Sequence, residues 1–493
     1  MYKSFCVNAL GAVAAAFLLA SCVLGPAYKR PANSLDSAFI GAGSAVLNAK
    51  PVGADVVTFW RGFNDASLSR LVEQGLQANG DVRIAAARLR EARANQAEAD
   101  AAAFPSFGVE AGATRSVTPR VQLPGLSRSQ RTGSVYDAGF IANWELDLFG
   151  RYRKGSEAAA AQTAASAASL GAAHTSVAAE IARNYLELRG LQQRLAFARE
   201  ALTNQRESLR IAEARLAGGR ITQLDVSRAT SLVANTEAVL PTLQTTIEHA
   251  VFRLATLTAQ PPRPLLLALG QPAPLPGLPV TDLSTLPVGT PEAWLERRPD
   301  VLAAEGQLAA ATAGISIAKA DLFPRLTLSG LLGLNAGTLG NLVKSDSAVY
   351  TLGAGLTWTL FDFGRLRARV VASKARTQQS VANYEQTVMT ALEEIEGAFS
   401  SFNRNAERAQ KLDVAARAAS EAAQLARVRY SAGVTDFLVV LDAEREMLNN
   451  RDLLVQAQSN TATSLVAVYR ALGGGWNPAL VASEPARPLA VSQ

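Results

Sequence analysis

Few residues of this 493-residue chain are suited to chemistry, and they do not cluster as a catalytic site would. The two histidines, His174 and His249, stand singly in helix-like segments, with no metal-ligand spacing around either. The sequence contains no HExxH motif, no GxSxG motif and no glycine-rich phosphate loop preceded by a strand. These observations predict a protein that is not an enzyme and that uses no metal or other cofactor.

One cysteine is well placed for chemical modification. An apolar run at residues 9–20 is too short to cross a bilayer, which takes ~20 apolar residues, and is typical of a secretory leader. Two small residues then lead into Cys22, as in a lipoprotein signal, so we expect residues 1–21 to be removed and the thiol to be acylated. The residue after the cysteine is Val23 and not an aspartate, and the absence of an aspartate at this position favours sorting to an outer membrane. The alternative is an ordinary cleaved leader with an incidental cysteine.

The charge distribution argues against a nucleic-acid partner. The formal net charge is +6, from 48 Lys and Arg against 42 Asp and Glu. The basic residues are spread along helix-like segments and alternate with acids, so no block of like charge offers a binding surface for nucleic acid.

The chain contains an internal repeat. Residues 81–105 and 300–324 match at ten of 25 positions at an offset of 219, and both stretches end in Phe-Pro. The stretches "WELDLFGRYR" (144–153) and "WTLFDFGRLR" (358–367) match at an offset of 214, which also aligns Gly219 with Gly433. We therefore predict two copies of one unit, each with a helix, a β-hairpin, a long helix and a further helix.

Alternating apolar and polar residues predict four strands, two in each repeat. The alternation is clearest at residues 140–148 and 352–360 and extends over roughly ten residues, the length of a tilted membrane strand. The same pattern would fit a soluble sandwich with one wet face, but the lipidation signal and the long helices that follow favour a membrane sheet. If the polar face lines a lumen, the candidate lumen-facing residues are Glu110, Asn143, Glu145, Thr357 and Thr359.

After each hairpin the periodicity changes to that of a long helix. The stretch 151–219 contains no proline, and as one helix it would extend ~100 Å. The second repeat has its counterpart from Arg365 to about Ser431. A helix of this length suits a coiled coil or a tube wall. Four strands cannot close a barrel, and lipid does not tolerate an open sheet edge, so other copies must complete it; three copies give twelve strands.

The sequence resembles the outer-membrane factors of tripartite efflux systems, the TolC/OprM-type family, and in particular its lipidated branch. The similar stretches run from about 22 to 476 and include "FWRGFNDASLSRLVEQGLQAN", "LPVGTPEAWLERRPD", "AKADLFPRLTLSG" and "RYSAGVTDFLVVLDAERE". The resemblance implies a mainly α homotrimer in the outer membrane, with a twelve-stranded β-barrel and a long periplasmic α-helical barrel. It also implies a periplasmic adaptor protein and an inner-membrane RND-type pump as partners.

The resemblance further implies a gate at the periplasmic helix tips. Gly219 and Gly433 would permit the tight tip turns. The predicted gate residues are Leu438, Asp442, Tyr430 and Arg445, with Asp225 and Arg215 as weaker candidates in the first repeat. Three copies of Asp442 around one axis would attract cations. The alternative is an ordinary surface pair of Asp442 with Arg445 at i,i+3.

These inferences divide the chain into segments and give it a function. We expect a lipoprotein signal peptide (1–21), a lipidated segment and collar (22–65), the first repeat (66–260), a Pro-rich equatorial linker (261–291), the second repeat (292–472) and a C-terminal tail (473–493). The expected function is a passive conduit that exports small toxic compounds across the outer membrane. Two alternatives stay open: the exit duct of a type I protein secretion system, and a lipidated helical scaffold or adaptor in the periplasm.

Overall fold

The computed structural model describes residues 24–32, 38–40, 54–281, 283 and 290–476. Cys22, the predicted leader and most of the predicted tail lie outside the described residues. The chain forms two compact units. Unit 1 takes residues 24–31, 90–165 and 304–384, and unit 2 takes the other described residues.

The secondary structure follows the repeat. Each repeat has two helices before its hairpin and two after it. The helices are α1 (Ala54–Val57), α2 (Ala66–Ala78), α3 (Gly80–Ala101), α4 (Arg151–Ala217), α5 (Gln223–Leu257), α6 (Pro262–Leu269), α7 (Pro291–Leu295), α8 (Pro299–Ala320), α9 (Arg365–Ser431) and α10 (Phe437–Ala471). The strands are β1 (Ser106–Val117), β2 (Thr132–Leu146), β3 (Arg325–Ala336) and β4 (Ala348–Thr357).

Local sequence explains where the helices begin and end. The Asn79 side chain accepts hydrogen bonds from the first amides of α3, at Asp81 (2.8 Å) and Val82 (3.3 Å). Pro291 opens α7, where its missing N–H is not needed. Both α4 and α9 run for 67 residues, as the absence of proline predicts.

Unit 1 contains one antiparallel sheet in the order β1-β2-β3-β4. The sequence predicted the two hairpins, and the structure joins them by pairing β2 with β3. Ser106 pairs with Asn143 in the first hairpin and Arg325 with Thr357 in the second. Arg325 lies 219 residues after Ser106, and Thr357 lies 214 residues after Asn143. The two offsets of the sequence repeat are therefore reproduced in the hydrogen-bond register of the two hairpins.

The predicted extent of the last strand was wrong. We expected alternation to continue through Leu360, but β4 ends at Thr357, so Thr359 lies beyond it. β2 also ends before the predicted residue 148, but it continues to Leu146, the residue equivalent to Leu360. The physical reason is the neighbour on each side: β2 is paired on both edges, whereas β4 is an edge strand among the described residues.

Unit 1 repeats its other hydrogen bonds as well. The Trp144 indole donates to the carbonyl of Ala103 and the Trp358 indole to that of Leu322, both at 3.0 Å. The hydroxyl of Thr163 donates to the carbonyl of Ala92 at 3.2 Å, and Thr377 does the same to Ala311 at 3.0 Å. Each pair is related to its counterpart by the offsets 214 and 219.

Unit 2 has an apolar core with a few buried polar contacts. The Tyr185 hydroxyl donates to Asp65 at 2.6 Å, and burial together with this hydrogen bond raises the pKa of Tyr185 to about 12. The Trp294 indole donates to the carbonyl of Ala471 at 2.9 Å. These contacts connect segments that are distant in the sequence.

One described helix, α8, is long and apolar enough to cross a membrane by length and composition alone. Half of its most apolar window is buried inside the fold, and core helices of soluble proteins pass the same test of length and composition.

Candidate functional site

The ends of four helices in unit 2 form an apolar cluster. Residues from α4, α5, α9 and α10 are buried together: Ala212, Val226, Ala229, Leu232, Ala426, Tyr430, Phe437, Val440 and Leu441. The cluster joins the α4–α5 connection of the first repeat to the α9–α10 connection of the second. It therefore fixes the two helical hairpin tips, where the sequence placed the gate candidates.

Both tip turns have the same backbone geometry. Gly219 and Gly433 have left-handed φ values of 67° and 74°. The amide of Arg220 donates to the carbonyl of Arg215, and the amide of Val434 to that of Arg429, both at 2.9 Å. Such a bond across six residues with glycine in the left-handed conformation is the Schellman motif, which stops a helix sharply.

The structure brings together two gate candidates from different repeats. The Arg215 guanidinium lies 4.0 Å above the ring of Tyr430, and its Nη2 donates to the Tyr430 carbonyl at 3.2 Å. Tyr430 is buried, and its ring centroid is 5.1 Å from that of Phe437. The hydroxyl of Tyr430 is also buried, and it has no hydrogen-bond partner in the part of the chain that the structure describes. Within one chain, therefore, Tyr430 is held by Arg215 and not by Asp442.

The other second-repeat candidates share an exposed face of α10. Leu438, Asp442 and Arg445 follow at intervals of four and three residues, which places them on one side of a helix. Leu438 is 41% exposed, and both charged residues are exposed. Over the described ranges no ion pair joins Asp442 to Arg445, so the alternative of a simple i,i+3 pair is not what this chain forms by itself.

Asp225, the weaker acidic candidate, has a local structural contact. Its carboxylate accepts hydrogen bonds from the backbone amide of Thr222 at 3.0 Å and from the Thr222 hydroxyl at 2.8 Å. A carboxylate at the third position of a helix that binds back to the N-cap residue stabilises the helix start. Asp225 therefore begins α5, and a role in a gate stays a prediction.

Glu444 is the most buried charge at the tips, and it was not among the residues predicted from the sequence. Glu444 is 1% exposed and accepts from Arg427 Nε at 2.8 Å and from the Ser208 hydroxyl at 3.2 Å. Its second carboxylate oxygen has no partner in the described part of the chain. Glu444 thus links α10 to both α9 and α4. Its position was visible in the sequence, because it continues the apolar stripe of Phe437, Val440 and Leu441 at helical spacing.

A cavity of about 350 Å³ adjoins these contacts. Side chains from α4, α9 and α10 line it, among them Ser208, Arg215, Arg427 and Tyr430. Glu207 also lines it, and the Arg210 guanidinium, which donates to this carboxylate at 2.6 Å, lowers the pKa of Glu207. An open space therefore remains at the tips between α4, α9 and α10, the helices that carry the polar contacts.

In unit 1, the strand register places the lumen candidates on one face. Residues that pair directly point to the same side of a sheet, so the partners of Asn143, which are Ser106 and Ser329, share its face. The same rule places Glu110, Glu145 and Thr357 on that face. Glu145 is not free there, because it accepts hydrogen bonds from Arg151 at 3.0 Å and from the Tyr152 hydroxyl at 3.3 Å.

The opposite face of the sheet is apolar and exposed. Its large side chains include Phe107, Val109, Phe140, Leu332, Tyr350, Leu352 and Leu356, all of them exposed. Soluble monomers rarely expose a continuous apolar surface of this kind. A sheet with one apolar outer face and one polar face, in a chain with paired long helices, defines the class of outer-membrane channel proteins.

Comparison with known proteins identifies the family. The profile of the outer membrane efflux protein family matches residues 71–260 and again 290–474. The chain belongs to this family. It is 33% identical over 475 residues to outer membrane protein OprJ of Pseudomonas aeruginosa, covering 95% of this chain and 96% of that protein. It is 30% identical over 476 residues to the toluene efflux pump outer membrane protein TtgI of Pseudomonas putida, covering 94% and 97%.

Solved structures agree with this assignment. The structure of the outer-membrane channel OprN superposes with a TM-score of 0.84 at 39% identity, covering 92% of this chain and 100% of that one. The predicted family is therefore confirmed, and so is the coarser fold prediction of a mainly helical chain with a β domain.

Proposed function

We propose that this protein is the outer-membrane channel of a tripartite efflux pump, through which small toxic compounds leave the cell passively. Three copies form a twelve-stranded barrel in the outer membrane and a helical barrel in the periplasm. A periplasmic adaptor and an inner-membrane RND-type pump supply the cargo and the energy. Cys22 anchors the chain through its lipid.

The proposal rests mainly on the exposed surfaces of the sheet in unit 1. Its apolar face is exposed, and its edge strands β1 and β4 are unpaired among the described residues. In lipid every backbone polar group needs a partner, so such a sheet is stable there only when further copies close it. A lipidated scaffold in the periplasm would expose this apolar sheet face to water, which is unfavourable and argues against that alternative.

We also propose that the predicted segment boundaries are those of the folded protein. The two stretches matched by the family profile start and end within five residues of the predicted repeats 66–260 and 292–472. This supports a chain made of two outer-membrane-factor repeats. The collar roles of residues 22–65, 261–291 and 473–493 belong to the same proposal.

The gate is proposed at the second-repeat tip. The exposed face of Leu438, Asp442 and Arg445 has no partner among the described residues of its own chain, so it is available to face the axis of an assembly. Three Leu438 side chains would narrow the pore, and three Asp442 carboxylates would favour cations. Tyr430 and Arg215 would act indirectly, by fixing α9 against α4.

Two measurements test the function. The acylated protein, purified in detergent, is expected to migrate as a heat-modifiable trimer and to conduct ions across a planar bilayer. Deletion in the native host is expected to raise sensitivity to dyes, detergents or antibiotics, with rescue by the wild-type gene. A water-soluble monomer without conductance would contradict the proposal. Loss of protein secretion with unchanged sensitivity would favour the secretion duct.

A further inference from the structure

The loop of the first hairpin, residues 118–131 between β1 and β2, lies at a strongly basic end of the sheet. Residues 111–136 contain four arginines and no acidic residue; the arginines are Arg115, Arg120, Arg128 and Arg131. They are separated in the sequence and form no block of charge, but the hairpin collects them at one end of the sheet. The loop of the second hairpin, residues 337–347, contains one base and one acid, Lys344 and Asp346. A hairpin at this position therefore does not need the positive charge in order to form.

One of the four arginines holds the loop in shape, and the other three are free. The Arg131 guanidinium donates to the carbonyl of Thr118 at 2.7 Å and to that of Leu126 at 3.3 Å. The other three arginine side chains are exposed, and none of them makes an ion pair or a hydrogen bond within the described part of the chain. A fixed loop thus presents three cations that these residues do not neutralise.

Arg115 lies on the apolar face of the sheet, at the height of a membrane border. It is eight residues from Phe107 on β1, so the two side chains are on the same face. Trp144 follows Asn143, the partner of Ser106, so Arg115 lies about ten residues farther along the strands than Trp144. This is about 34 Å, which a strand tilt of about 35–45° reduces to a height of about 24–28 Å. The apolar band of a membrane barrel is about 25 Å tall, so Trp144 and Arg115 mark its two borders.

The surroundings of the free arginines are also typical of a membrane border. Tyr136 pairs with Ala113, so its ring lies on the same face as Arg115, one diagonal step away. Aromatic rings at this position form the girdles that flank the apolar band. In the loop itself, Val121 is 93% exposed and Leu126 is 39% exposed. Exposed apolar side chains beside unpaired cations are typical of surfaces that contact anionic lipid.

We propose that Arg115, Arg120 and Arg128 bind the phosphate groups of an anionic glycolipid in the outer leaflet of the outer membrane. The proposal rests on the channel proposed above: the hairpin follows directly on α3 and leads into α4, so a periplasmic position of these helices places the loop at the outer side. A guanidinium donates two parallel hydrogen bonds to a phosphate, which suits a lipid headgroup that carries phosphate esters. In the second repeat Leu334 is equivalent to Arg115, so only the first hairpin of each copy holds the lipid by its charge.

Native mass spectrometry of the acylated full-length protein in a non-ionic detergent measures this binding. The probe is bis-phosphorylated lipid A, compared with the same glycolipid after removal of both phosphates. The test variant combines Arg115→Gln, Arg120→Gln and Arg128→Gln. The matched control removes three exposed charges from unit 2 through Arg263→Gln, Arg408→Gln and Lys411→Gln. A second control, Lys344→Gln, removes the one base from the loop of the second hairpin.

The expected result is a loss of affinity in the test variant alone. Each basic residue at an anionic lipid surface strengthens binding about fivefold, so the test variant should bind phosphorylated lipid A about 20-fold more weakly or worse. Both controls should change the affinity less than twofold. Removal of the phosphates should weaken binding to the wild-type protein to the level of the test variant.

Three other results would overturn a stated part of the reasoning. Equal affinity of wild type and test variant, in trimers that conduct ions across a planar bilayer, would overturn the lipid site and leave the channel function standing. Displacement of the lipid by millimolar inorganic phosphate would overturn the assignment to a lipid, because a free anion would then be the ligand. A wild-type protein that forms no trimer and conducts no ions would overturn the channel function itself.

Discussion

The buried carboxylate of Glu444 is the contact whose removal should loosen the helical tips most directly. It accepts from Arg427 on α9 and from Ser208 on α4, so it links three helices with one side chain. Substitution Glu444→Gln keeps the size and one acceptor oxygen but removes the charge. The change therefore tests the electrostatic part of the link without opening a cavity.

The magnitude follows from the exposure of the two partners. A hydrogen bond to a charged group contributes about 1.5–3 kcal/mol, and a neutral one about 0.5–1.5 kcal/mol. Arg427 is 36% exposed, so water replaces part of what the variant loses. We expect a loss at the low end, about 1 kcal/mol, which corresponds to about fivefold more frequent opening of the tip.

Native-state hydrogen exchange followed by mass spectrometry measures this opening. In Glu444→Gln, amides of residues 427–445 should exchange about fivefold faster, while those of the sheet stay unchanged. Glu421→Gln serves as a matched control, because Glu421 is exposed on α9 one to two turns before Arg427. Equal exchange at the tip in wild type and Glu444→Gln would refute the idea that this buried pair holds the three helices together.

Three further predictions concern the turns, the strand ends and the pore. Gly433→Ala should lower stability by about 1–2 kcal/mol because of its left-handed φ, whereas Gly397→Ala inside α9 should raise it by up to about 1 kcal/mol; thermal unfolding separates the two. Trp144→Phe should cost about 1 kcal/mol, because the carbonyl of Ala103 loses its indole donor, and unfolding in detergent with urea measures this. Asp442→Asn should reduce the cation preference of the conductance, measured by reversal potentials in a salt gradient, and an unchanged preference would place the carboxylate away from the pore.

The sequence predicted the features that depend on period and repetition. Strand faces follow from alternation with period two, and Asn143 and Thr357 indeed share a face with Glu110. The offsets of 219 and 214 residues in the sequence repeat reappear in the strand registers of both hairpins. Proline and glycine positions predicted where the helices stop, as at Gly219.

The features that the sequence did not predict depend on partners from distant segments. Glu145 is held by Arg151 and Tyr152, which lie across the turn from strand to helix. Thr359 lies outside β4 because strand pairing, and not local pattern alone, determines where a strand ends. Glu444 was missed because a single charge on an apolar stripe becomes significant only when Arg427 is known to lie beside it.

The two repeats share the contacts that build the sheet and the helix turns, and they differ in the charged residues at the helix tips. The tryptophan-to-carbonyl bonds, the hairpin registers and the Schellman turns are the same in both. At the tips the offset of 214 instead relates Asp442 to Arg228, and the buried Glu444 to Thr230. The difference between Asp442 and Arg228 is not needed for packing, because both residues are exposed and both hairpins contribute to one apolar cluster without them. The divergence therefore favours unequal roles for the two hairpins, and the second hairpin, which carries the exposed Asp442, is the one at which the gate is proposed.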